Sequence, residues 1–294
     1  MVLCLVAAPP TFASTLTFAQ RAATIDVVRS TFVALSHTQI DPQYIRTYDN
    51  VFGDTVTADY VSELSGAERE QLLRYALMAA WSDPDPKYLQ HVRLTFDQMS
   101  LRNEASVELA HAVYQELINR RAIDAAAQVA ERLSIPMAAI PKIDGSSLAS
   151  GPSALFLNPS SNVWLRRRVR FERGLHVIVV SSPVCSFCLA AADAIARDEE
   201  LTKIFRDRAT WIAPSHVPLD EARFVEWEKK YPEFPTGAIY DPAEWPPTIR
   251  WMSEPTPTFY FFQNGTLKDV MVGWAGEAPL HRLRDALQHV GLQK

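Results

Sequence analysis

The chain has 294 residues, an apolar fraction of 48% and three cysteines. That length allows two domains with buried cores. A net charge of -5 argues against nucleic acid as the main partner, and no apolar run reaches the roughly 20 residues of a membrane-spanning helix.

The N-terminus, residues 1–13, reads as a truncated signal peptide. Val2 to Ala8 is apolar, and Thr11 and Ala13 suit the small-residue positions of a cleavage site after Ala13. The basic segment usual at such a start is missing and the apolar run is short. The expectation is therefore a chain start that falls within a longer signal peptide, and a periplasmic (exported) protein. The alternative is an apolar N-terminus packed on the domain. Cleavage would remove Cys4 and leave Cys185 and Cys188 as the only thiols. One close pair does not make a disulfide framework, which needs several widely spaced bridges.

Residues 15–133 predict an N-terminal all-α helical array. In Ala67–Trp81, Leu72, Leu73, Ala76, Leu77 and Ala80 recur on one stripe, and Ser82-Asp83-Pro84 stops that helix. Further helices are expected over Tyr88–Met99, Ala105–Ile118 and Ala122–Leu133. Their lengths suggest irregular helical hairpins, without the consensus positions of a known repeat. Residues 134–162, with Pro136, Pro141, Gly145, Gly151, Pro152 and Pro159, read as a surface linker.

From Val163 the pattern alternates. Strands are expected over Val163–Phe171, Leu175–Ser181, Ala209–Ala213, Thr258–Gln263 and Leu267–Val272. Helices are expected from Cys185 toward Ala196, over Asp220–Tyr231 and over Pro279–Val290. Asn264-Gly265 marks a hairpin turn. Cys185 and Cys188 stand where the second strand gives way to the first helix. A thiol at a helix N-terminus has its thiolate favoured by the dipole and by free amides. Positions i and i+3 of a helix also bring two cysteines within the about 4.4–6.8 Å Cα separation that a disulfide needs. The pair is a candidate two-electron redox switch. The alternatives are an inert bridge and half of a zinc site. Zinc needs two more ligands, and only His216 and His176 are candidates on this half. Delivery of copper or zinc through the two thiols is a third possibility.

This order of elements, with Cys-x-x-Cys after a strand and Thr256-Pro257 before a strand and hairpin, resembles the thioredoxin fold. The run His176-Val177-Ile178, the Thr before the proline and Asn264-Gly265-Thr266-Leu267 are closest to the periplasmic Dsb-type disulfide isomerases. The resemblance covers 163–294 and implies an α/β thioredoxin-like domain. It implies Cys185 as nucleophile, Cys188 as resolving thiol, and Pro257 as a cis-proline packed on the cysteines. Thr256 would pair with substrate backbone. Phe187 either contacts substrate beside Cys185 or packs over the disulfide.

The implied partners are protein substrates with thiols or disulfides and a redox partner protein, with no nucleic acid and no cofactor. Isomerases of this type generally work as dimers, so a homodimer is also implied. Val184 departs from the family's Trp before the motif, and Val179 stands where thioredoxins keep a buried acid, which weighs against a fast reductase cycle. The 69 positions from Cys188 to Pro257 exceed a minimal thioredoxin and suggest an inserted, substrate-facing rim.

Arg166-Arg167-Arg168 with Arg170 and Arg173 reads as a solvated strand edge guarded by charge. Trp245, Trp251 and Trp274 are candidates for an apolar rim, with core packing the better reading for Trp274. A different function also fits the sequence: an envelope assembly protein of a secretion or conjugation system. There the helical array would bind partners and the thioredoxin-like domain would dock.

Overall fold

Helices fill the described residues as far as Leu133, and an eight-stranded mixed sheet with further helices fills the rest. The computed structural model describes residues 16–34, 42–133, 140–145, 151–249, 251, 255–276 and 278–292. The expected signal peptide and Cys4 lie outside them. Among the described residues, no helix is long and apolar enough to cross a membrane. The chain divides into two compact units, Met1–Val113 and Tyr114–Lys294.

The first unit holds α1 (Phe18–Ala34), α2 (Pro42–Val51), α3 (Ala58–Glu63), α4 (Gly66–Ser82), α5 (Pro86–Leu101) and the start of α6 (Val107–Asn119). Local chemistry sets the helix starts. Ser65 and Glu68 form a reciprocal capping box on α4, and Asp85 caps α5 ahead of Pro86 in its first turn. The stripe read from the sequence packs as expected: Leu72, Leu73, Ala76 and Ala80 are buried, with Leu77 half-buried. Tyrosines supply much of this core, and Tyr44, Tyr48, Tyr75 and Tyr88 keep their hydroxyls partnered. Tyr48 meets His91 Nδ1 at 3.0 Å, and Tyr44 donates to the Tyr75 carbonyl at 2.9 Å. Arg69 is buried and forks onto Glu104 at 2.8 and 2.7 Å, which ties α4 to the turn before α6.

The second unit begins with the rest of α6 and with α7 (Ile123–Leu133). Its strands are β1 (Lys142–Asp144), β2 (Ser153–Asn158), β3 (Val163–Arg168), β4 (Leu175–Val180), β5 (Ala209–Ala213), β6 (Thr236–Ile239), β7 (Thr258–Gln263) and β8 (Thr266–Val272). They lie in the order β1-β3-β2-β6-β5-β4-β7-β8. β4, β5 and β6 are parallel, while β7 and β8 continue one side as antiparallel neighbours and β2 joins the other side antiparallel. The connections are α8 (Ser186–Ala196) and α9 (Glu199–Arg208) after β4, and α10 (Glu221–Lys230) after β5. α11 (Pro279–His289) follows β8.

Both faces of the central strands are covered, which is why β4 reads as a continuous apolar run. On one face Val177, Val179, Trp211, Phe259 and Phe261 pack against Cys188, Ile195, Phe205, Trp227, Leu283 and Leu287 from the helices. On the other, Ile178, Val180, Ile212, Tyr260 and Phe262 meet Val169, Phe171, Trp245, Ile249 and Trp251 from irregular segments.

Four expectations need correction. Residues 134–162 are not simply a linker, because β1 and β2 lie within them and β2 is flanked by β3 and β6. Gly151-Pro152 and Asn158-Pro159 bound a buried strand instead of marking a surface linker; residues 134–139 and 146–150 lie outside the described ones. The expected outer strand Val163–Phe171 ends at Arg168, and Val169 and Phe171 turn inward. Arg166 is not solvated: its guanidinium pairs with Glu244 at 2.6 Å and lies 3.8 Å from the Tyr240 ring centre. Trp245 and Trp251 form no rim. They are buried edge-to-face with ring centres 5.0 Å apart, and Trp274 is in the core as expected.

Candidate functional site: two cysteines at a helix start

β4 is held between β5 and β7, so the chain leaves the sheet at a fixed point after Val180. The turn Ser181 to Val184 then sets the start of α8. Cys185 is the residue before the first helical turn, with φ −86° and ψ 118°. Its amide donates to the Ser182 carbonyl at 3.1 Å. Its Sγ accepts from the Cys188 amide at 3.3 Å, as a Ser or Asp oxygen does at an ordinary helix start. A sulfur there is most useful as an anion, since it then meets an unsatisfied N–H and the positive end of the helix.

Thr256 approaches from the loop before β7. Its hydroxyl donates to Cys185 Sγ at 3.4 Å, and its carbonyl can accept from the Cys185 thiol at 3.5 Å. One residue therefore has a partner for either protonation state. The Thr256–Pro257 peptide is cis. The Pro257 carbonyl accepts from the Gly273 amide at 2.8 Å, at a left-handed glycine with φ +73°. Thr258 Oγ1 donates to the Pro255 carbonyl at 2.6 Å, closing the loop on itself.

The two sulfurs sit in opposite environments. Cys185 is partly accessible, and its pKa is lowered to about 6. The largest cause is its hydrogen bond with the Cys188 side chain. The Thr256 hydroxyl and the amides of Cys188 and Phe187 add to it, against the opposing effect of burial. Cys188 is fully buried in the helix-side core, and burial pushes its thiol far above the ordinary range. Its Sγ accepts from the Ser182 amide at 3.4 Å. The arrangement pairs a thiolate near neutral pH with a protonated thiol behind it.

Cys185, Cys188, Thr256 and Pro257 thus come together. Phe187 stands beside them and is 52% exposed, and Val184 on the other flank is 60% exposed. Val179 is buried in the same core as Cys188. His176 lies at the other end of β4, where its ring meets Thr210 Oγ1 at 2.9 Å and burial lowers its pKa to about 4. Among the described residues, no group of three or more His, Cys, Asp or Glu is placed to hold a metal ion. Ser182 carries a role that the sequence reading passed over. Besides its contact to Cys188, its hydroxyl accepts from the Val184 amide at 3.4 Å. The signal for it was its position just before Pro183, where a polar residue builds a turn.

No protein-family model matches the chain, and no curated protein matches it significantly.

Proposed function

We propose that the chain is a thiol–disulfide oxidoreductase with a thioredoxin-like arrangement in its sheet-bearing half, acting on protein thiols or disulfides in an exported, periplasmic setting. One observation carries this reading: Cys185 Sγ lies at the start of α8, partly accessible and with a depressed pKa, next to a cis Thr256–Pro257 loop and in front of a buried Cys188. The order β4-α8 and β7-β8-α11 around that site supports the architecture.

The chemistry balances without a cofactor. The Cys185 thiolate attacks one sulfur of a substrate disulfide, forming a mixed disulfide and expelling the other substrate sulfur as a thiolate. Cys188 then gives up its proton and attacks Cys185 Sγ. This forms the Cys185–Cys188 disulfide and releases the second substrate sulfur, so the substrate gains two electrons and the pair loses two. Run backward, the same steps oxidise a dithiol, and a redox partner protein resets the pair. An extended substrate strand would pair with the Thr256 backbone, with Phe187 against its side chains.

A glutathione redox titration of the cysteine pair, read by thiol trapping, tests the reading. A potential toward about −120 to −180 mV assigns oxidation or isomerisation, and one near about −270 mV assigns reduction. A pair that does not respond to the couple overturns the proposal.

A further inference from the structure

We propose that the second unit carries an anion-binding cavity, unrelated to the cysteines, that takes a small oxyanion with two or more negative charges through Arg168, Arg170 and Arg173. The cavity measures about 720 Å³, within the roughly 300–1,000 Å³ of small-molecule sites. Among the described residues, those three arginines and Glu172 line it.

The arginines are gathered by the segment that carries the chain from β3 to β4. That segment alternates: Val169 and Phe171 point into the core, and Arg168 and Arg170 point out. Its backbone is pinned along its length. The Val169 amide donates to the Pro152 carbonyl at 2.9 Å, and the Phe171 and Gly174 carbonyls accept from Gly265 and Asn264 at 3.0 and 2.8 Å. Phe171 is wedged between Trp245 and Phe262. The platform is therefore held before any ligand arrives, which lowers the ordering cost of binding.

Charge is what this platform presents. Arg170 and Arg173 have no acidic partner among the described residues. Glu172 turns its carboxylate back onto the Phe171 amide at 3.1 Å. Gly151 supplies a separate observation. A Cβ at that position would lie 2.4 Å from the Arg168 guanidinium, so the missing side chain is the space the guanidinium occupies. Guanidinium forks match carboxylate and phosphate oxygens two at a time, and three around one cavity select a multivalent ligand.

The test is calorimetric titration of the full chain with sodium pyrophosphate and, separately, with citrate, at fixed ionic strength. Saturable one-to-one binding of at least one is expected. The Arg170→Gln/Arg173→Gln variant should bind at least tenfold more weakly, with the cysteine pair's potential unchanged. Tighter pyrophosphate assigns a phosphorylated ligand, and tighter citrate a polycarboxylate. Absence of saturable heat with both anions overturns the proposal, as does wild-type affinity in the variant. Should the double variant fail to fold, Arg170→Gln alone carries the same comparison. The readout is binding, so failure here leaves the redox reading standing.

Discussion

The amide of Cys188 donates to Sγ of Cys185 across 3.3 Å, so the more accessible sulfur of the pair is the cap of the helix that carries the other. The thiolate of Cys185 therefore has a place prepared for it. With a pKa near 6 it is about nine-tenths ionised at pH 7, whereas an ordinary thiol of pKa about 8.5 is only a few per cent ionised. Alkylation by iodoacetamide should rise with pH through about 6 and level off before pH 8. Cys188→Ala should move that midpoint up the most, because the Cys188 side chain is the largest lowering influence. Thr256→Val should move it up less. A midpoint above 8 in the unaltered protein would remove the basis for Cys185 as nucleophile.

The same shift links redox state to stability. The folded pKa of Cys185 lies below its unfolded value, so the stabilisation it brings is fully present above about pH 8.5. It is lost as pH falls through 6. The Cys185 contribution to the stability of the reduced protein should therefore grow between pH 6 and 8.5, by up to about 2 kcal/mol after screening by water, against an opposing loss from Glu116, whose carboxyl pKa is pushed up to about 7 by burial. Cys188 works the other way only above about pH 8.5, where its buried thiol resists ionisation. Urea unfolding of the reduced chain at pH 6 and pH 8 measures the slope, and Cys185→Ser should flatten it. Equal slopes in both proteins would mean that the thiolate is not held in the fold.

What could be read from the sequence tracks how local each signal was. Cys185 and Cys188 were legible because a strand, a turn and a helix start lie within some fifteen residues. Thr258–Gln263 was legible to the residue because Asn264-Gly265 fixes its end. β2 was missed because its six residues are bounded by the same prolines and glycines that mark loops, and its burial depends on β3 and β6. β6, Thr236–Ile239, fails for the same reason, being four residues paired to β5 and β2. α9 was missed although Asp198 caps it, since the apolar stripe of α8 ends just before and only Leu201, Ile204 and Phe205 reach the core in an otherwise charged stretch. Arg166 was misplaced and Trp245 and Trp251 were left open between rim and core, because burial of a charge or a ring is decided by distant partners, Glu244 for the first and Phe171 for Trp245.

Val179 offers a test of the resolving step. In the proposed cycle Cys188 has to lose a proton to attack the mixed disulfide, and burial makes that loss costly. Val179, in the same core cluster, offers no acceptor. Val179→Asp should place a carboxyl there whose own pKa is raised by burial, and which can take the proton near neutral pH. Resolution of a preformed mixed disulfide at pH 7 should accelerate several-fold, and the fold should lose about 1–3 kcal/mol for the buried polar group. Quenched-flow alkylation follows the first and urea unfolding the second. An unchanged resolution rate in a folded variant would show that proton removal does not limit the step.

The ion pair of Arg166 and Glu244 fixes the side of the sheet where β2 and β3 meet the turn Pro242–Glu244. Side-chain exposure is 4% for Arg166 and 13% for Glu244, so both charges are largely out of water. Ser153 completes the set: its hydroxyl donates to Glu244 Oε2 at 2.8 Å and accepts from Arg166 Nε at 3.0 Å. Removing one charge leaves the other buried without compensation, a loss of about 3–5 kcal/mol. Removing both leaves mainly a packing defect. Glu244→Ala should therefore destabilise by that amount, while Arg166→Met/Glu244→Leu should cost clearly less than the sum of its single changes. Tryptophan fluorescence reports mainly this unit, because Trp164, Trp211, Trp227, Trp245, Trp251 and Trp274, six of the seven tryptophans, lie in it and only Trp81 lies in the other. Strict additivity in the cycle would mean that the two charges do not act as a pair, and that the turn is held instead by Trp245 packing on Phe171 and Trp251.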